Sequence, residues 1–131
     1  MDDTIYSFSA GVFTEAVVIT HTYLSSEDIP TTVNLIDISH NFQVTAVYSS
    51  TGQPAQPTQP YTLTIQYTDA EKGPAIESTL ALYYWDGAQW VQEPTSVLDG
   101  AANTITATPN HFSFWAVLGQ TQRLFLPLIQ R

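Results

Sequence analysis

His111, Phe112 and Ser113 are the residues of this chain whose types and spacing could do chemistry. A histidine two positions before a serine shares its face on extended backbone, while Phe112 points to the other side. The imidazole can then take the hydroxyl proton, and the Ser113 Oγ can attack the Phe112 carbonyl in an N-to-O acyl shift. Water would hydrolyse the resulting ester. Strain in that peptide, held by a buried Phe112 and a buried Phe114, would supply part of the driving force. The alternative is that the three residues merely lead into a core strand, with His111 bonded to neighbouring backbone and Ser113 at a sheet edge.

The other polar candidates point to less. His21 lies on the face of Val17, Ile19 and Tyr23 and reads as a satisfied core-edge residue; His40, in Ser39-His40-Asn41, reads as a turn residue. Dispersed histidines without His-x-His or His-x-x-x-His spacing, in a chain with no cysteine, give no zinc site and no thiol or disulfide chemistry. No metal site and no cofactor is expected. Asp2-Asp3, Glu27-Asp28 and Asp69 with Glu71 lack the ligand spacing of a calcium loop and read as solvated, with a weak surface calcium ion left open. No carboxylate pair suggests a glycosidase, and there is no Gly-rich phosphate loop or Gly-x-Ser-x-Gly elbow. Tyr83 and Trp85 share a strand face, with Trp90 across a hairpin. Exposed, that stripe would be a sugar-stacking platform; buried, it is cross-strand packing. Lys72, in Glu71-Lys72-Gly73-Pro74, reads as a turn, unlike the buried lysine that an intramolecular Lys–Asn crosslink requires.

The elements that must position these residues are strands. Tyr61, Leu63, Ile65 and Tyr67 alternate with threonine and glutamine, and Phe42, Val44, Ala46 and Tyr48 alternate likewise. β-Branched runs cover residues 16–23 and 33–38. Residues 79–85, the turn Asp86-Gly87 and residues 88–92 read as a hairpin with a tight primed turn. Asp99-Gly100 marks a second turn before a strand at 104–107, and residues 111–118 form the next strand. The only helical expectation is one short turn at 25–29. Pro54, Pro57 and Pro60 make residues 52–60 a stiff loop, since proline cannot donate to a sheet ladder. The fold expected is all-β, an antiparallel β-sandwich of about eight or nine short strands. One domain should span residues 1–120, followed by an apolar tail at 121–131.

A resemblance can be attached to these residues. Leu82-Tyr83-Tyr84-Trp85-Asp86-Gly87, Trp90-Val91, Thr104-Ile105-Thr106-Ala107-Thr108 and His111-Phe112-Ser113 together resemble the C-terminal half of ZU5-like domains. They are also similar to the related self-cleaving GAIN-type modules. Phe8-Ser9-Ala10-Gly11-Val12-Phe13, leading into Val17-Val18-Ile19-Thr20, resembles the opening of the same family, so that most of residues 5–119 is covered. The resemblance implies a β-sandwich of a bacterial surface or secreted protein, with autoproteolysis between Phe112 and Ser113 in those members that cleave.

Composition sets the partners. Twelve acidic residues against three basic ones give a net charge of -9, and no Lys or Arg precedes Lys72, so nucleic acid and anionic membrane are poor partners. No apolar run is long enough for a transmembrane helix. The start, Met1-Asp2-Asp3-Thr4, lacks a basic beginning and an apolar stretch, so no signal peptide is expected within it, while a cysteine-free, Thr-rich acidic chain suggests an extracellular or cell-surface location. The leading expectation is a non-enzymatic structural or assembly module; the alternatives are self-cleavage, a fibre subunit and a carbohydrate-binding module. In the tail, Leu124, Leu126 and Leu128 fall on one face of an extended segment and Phe125 and Ile129 on the other. Self-docking is expected first; donation to a neighbouring subunit would make the chain its own partner in a homopolymer. The ending also resembles the Leu-Pro-Leu, then basic tails of some bacterial secreted proteins, which implies sorting or anchoring.

Overall fold

The computed structural model describes residues 3–121. Nine antiparallel strands occur among them: β1 (Asp3–Ser7), β2 (Val17–Leu24), β3 (Ile36–Tyr48), β4 (Thr62–Gln66), β5 (Ala81–Trp85), β6 (Trp90–Gln92), β7 (Val97–Asp99), β8 (Thr104–Ala107) and β9 (Phe114–Gly119). They form a four-stranded sheet, β1-β4-β8-β7, and a five-stranded sheet, β2-β3-β9-β5-β6. The inner faces meet in one core, in which Leu63, Ile65 and Ile105 of the first sheet join Phe42, Val44, Leu82, Trp115 and Val117 of the second. The fold is the all-β sandwich expected from the period-two pattern. Among the described residues no helix is long and apolar enough to cross a membrane.

The differences from expectation have physical causes. Residues 33–38 and 42–48 were expected as separate strands around a turn at His40, yet β3 is continuous. A register shift between Asp37 and Asn41, with Ser39 at φ 69°, absorbs the extra residues as a bulge. His40 is therefore buried in the strand, its Nε2 2.9 Å from Glu71 Oε1. Glu71 belongs to a helical turn, α1 (Asp69–Lys72), which a capping box from Thr68 starts and in which Lys72 is the last residue rather than part of a loop. A 3-10 turn follows at Glu77–Thr79.

The β5–β6 hairpin is also not a two-residue primed turn. Trp85 pairs with Trp90, so four residues connect them, and the Asp86 carboxylate accepts the N–H groups of Ala88 and Gln89 while Gly87 takes φ 103°. The β7–β8 connection is built alike on Asp99, but there Asn103 takes the positive φ, at 55°. Residues 52–60 form the expected loop, tied to β3 by the Ala55 N–H to the Ala46 carbonyl.

Candidate functional site

The chain reaches β9 through residues 111–113, which were expected to be its first residues but are not strand. Their backbone is held mostly by side chains instead of a ladder. The Tyr61 hydroxyl donates to the His111 carbonyl at 3.0 Å, and the Phe112 N–H donates to Gln56 Oε1 at 2.8 Å. The ladder takes over at the Ser113 carbonyl, which accepts the Val44 N–H at 3.1 Å. Burial, and then the charge of Glu93, push the Tyr61 phenol above its usual range, so it acts as a neutral donor.

Phe112 is the anchor. It is 6% exposed and packs against Phe8, Phe13 and Tyr61, with ring centroids 6.2, 6.0 and 5.1 Å away. The side chains on either side of it turn the other way and meet: His111 Nδ1 lies 2.8 Å from Ser113 Oγ. The imidazole stacks on Trp115 at 5.0 Å and meets Tyr84 edge to face at 4.7 Å, the three rings forming a triangle. Its second nitrogen, Nε2, lies 3.5 Å from Oε1 of Glu93. Ser113, His111 and the buried Glu93 carboxylate thus stand in a line.

Two openings reach this line. A cleft of about 370 Å³ borders Tyr84, Glu93, Thr95, Pro109 and His111. A smaller one, about 200 Å³, borders Gln56, Phe112, Ser113 and Phe114. Phe112 and Ser113 both keep negative φ, and Phe114 is half-buried rather than buried, so the left-handed strain that could drive a break is absent.

Sequence reasoning did not find Glu93. It stands eighteen positions from His111 in a Glu-Pro-Thr turn without a local motif; only the packing of β6 beside β5, and β5 beside β9, brings it near. Tyr61 and Gln56 were likewise visible only as a strand residue and a loop residue.

The remaining candidates lie elsewhere. His21 is half-buried, with Nδ1 on the Tyr6 hydroxyl and its ring stacked on Phe42 at 4.8 Å. None of Tyr83, Trp85 and Trp90 is exposed. The two tryptophans meet edge to face at 5.6 Å, and the Trp90 indole N–H donates to the Pro30 carbonyl at 3.1 Å, beneath the β2–β3 loop. Among the described residues no group of three or more His, Asp or Glu is placed to hold a metal ion. Leu124, Phe125, Leu126, Leu128 and Ile129, the proposed assembly tail, lie outside the described residues. Comparison with protein-family models, curated proteins and solved structures finds no match to this chain.

Proposed function

We propose that this chain is a β-sandwich module that cuts its own Phe112–Ser113 bond. The observation that carries the reading is the 2.8 Å contact between His111 Nδ1 and Ser113 Oγ, immediately after the carbonyl to be attacked. His111 takes the hydroxyl proton as Oγ bonds to the Phe112 carbonyl carbon. The C–N bond then breaks, and the same proton passes to the departing Ser113 amine. Water adds across the ester, which gives a Phe112 carboxylate and restores the hydroxyl. β9 is held between β3 and β5, so the two pieces stay paired after the cut.

Mass spectrometry of the denatured chain tests this. Fragments 1–112 and 113–131 should appear with time, Ser113→Ala and His111→Ala should stay whole, and hydroxylamine should release the ester early. A wild-type mass fixed at 14.5 kDa, with or without hydroxylamine, defeats the reading.

A second reading is a non-enzymatic assembly module of an extracellular or cell-surface protein. The observation that favours it is the solvent-facing pair Ile5 and Val97, 67% and 65% exposed on the outer face of the four-stranded sheet. Low charge and the absence of cysteine support the location.

A further inference from the structure

We propose that Glu93 is the positioning residue of this site: it fixes the tautomer of His111 so that Nδ1 presents a lone pair to Ser113. The inference rests on the self-cleavage reading for its consequence, but not for its geometry. A neutral imidazole carries one N–H and one lone pair, and only the ring protonated on Nε2 can accept the Ser113 proton at Nδ1. Nε2 faces Oε1 of Glu93 at 3.5 Å, and an ionised carboxylate can only accept.

The orientation of that carboxylate is over-determined. Its other oxygen, Oε2, accepts the Thr95 N–H at 3.1 Å and the Thr95 hydroxyl at 2.7 Å. Thr95 Oγ1 in turn accepts the Thr108 N–H at 2.8 Å, so its own proton is directed to Glu93. The Glu93 backbone N–H is tied to the Leu82 carbonyl at 2.8 Å. With Glu93 only 4% exposed, Oε1 is left to His111. Trp115 and Tyr84 hold the ring plane, and neither supplies an acceptor at Nε2 that would choose the tautomer.

The isosteric change Glu93→Gln reverses the selection. The Thr95 N–H is a backbone donor and cannot turn round, so the amide oxygen must stay on Thr95 and the amide NH2 must face His111. That group donates to Nε2, places the ring proton on Nδ1 and aims an N–H at Ser113 Oγ. The base is then lost without loss of shape, and cleavage should slow by about 100-fold or more.

The test uses the full chain. In Ser113→Ala, which cannot cut, the nitrogen-15 shifts of the His111 ring at pH 7.5 should report a neutral ring protonated on Nε2; in the double variant with Glu93→Gln the proton should move to Nδ1. In the cleavable chain, Glu93→Gln should cut at least about 100-fold more slowly than wild type. An unchanged tautomer in the double variant, or undiminished cleavage by Glu93→Gln, overturns the proposal. If Glu93→Gln does not fold, Ser113→Ala alone decides: a proton on Nδ1, or on both nitrogens, overturns it. A tautomer that switches as expected in a wild-type chain that never cuts supports the role of Glu93 and defeats only the cleavage reading.

Discussion

The outer face of the four-stranded sheet and the outer face around β9 of the five-stranded sheet are built on opposite principles. Across the four-stranded sheet one cross-strand row reads Ile5, Thr64, Thr106, Val97, and its two apolar ends lie in solvent. Across the five-stranded sheet the rows through β9 and β5 are covered, while at the β2 edge Val18 is 54% exposed and Thr20 and Thr45 lie in solvent. Trp90 is tied to Pro30 of the β2–β3 loop, and Ala116 and Leu118, on the outer face of β9, are both 0% exposed. All of Trp115, Ala116, Val117, Leu118 and Gly119 in β9 are buried. A strand buried on both faces is the one that can be severed at its start and still stay in place. The site lies at that start, where the ladder gives way to backbone held largely by side chains.

The sharpest way to break this comparison is Leu118→Ala. Leu118 is on the outer face of β9 by parity with Ala116, opposite the inward Trp115 and Val117, and is 0% exposed. Truncating a fully buried leucine should cost about 2–5 kcal/mol in urea unfolding, as at an inward position such as Leu63. A loss below about 1 kcal/mol, the range of a surface change, would mean that the outer cover does not pack as described.

The same contrast explains what was legible. In β4 the buried Leu63 and Ile65 alternate with half-exposed Thr62 and Thr64, so its register could be read directly. A one-sided sheet writes its register into the sequence. Where both faces are covered the alternation disappears. Residues 111–118 read as one strand because Phe112 leads straight into the apolar run 114–118, although Tyr61 and Gln56 take the first backbone groups out of the ladder. His40 and Asn41 looked like a turn because they are polar; they are buried because Glu71 and Asp37 receive them. The Thr68-x-x-Glu71 capping box was present in the sequence and marks α1, a signal that could have been used. Glu93 had no such signal, for its meaning lies in a pairing three strands wide. The His111–Ser113 contact was readable from spacing alone, since it needs only local extended geometry.

Asp37 tests how the covered sheet is held. Burial pushes its carboxyl up, but hydrogen bonds from Ser26, Asn41 and the Ser39 N–H outweigh this together, and its pKa falls below the ordinary 3.8. A carboxyl depressed on folding adds stability above its unfolded value, and that stability disappears as pH falls through the folded value. Asp37→Asn should therefore cost about 1 kcal/mol at pH 7, a figure kept low because the group is half-exposed and solvent screens it. The gap from wild type should close as the pH drops below 3.8. Urea midpoints at a series of pH values measure it; a gap that widens on acidification would reverse the assigned sign.

The smallest effect belongs to the open face. Val97 lies on the short edge strand β7 beside Thr106, and Ile5 on β1 beside Thr64, with two strands between them. That separation is about 14 Å, too far for the two positions to couple through packing. Threonine keeps the β-branch that suits a strand, so Ile5→Thr and Val97→Thr should each change stability by no more than about 0.5 kcal/mol, and the double variant by their sum. Association is a separate readout. If the assembly reading holds, the double variant should sediment as a smaller species than wild type at equal concentration while its unfolding midpoint hardly moves. Equal sedimentation at every concentration would leave this apolar pair as ordinary exposed surface and remove the observation on which the assembly reading stands.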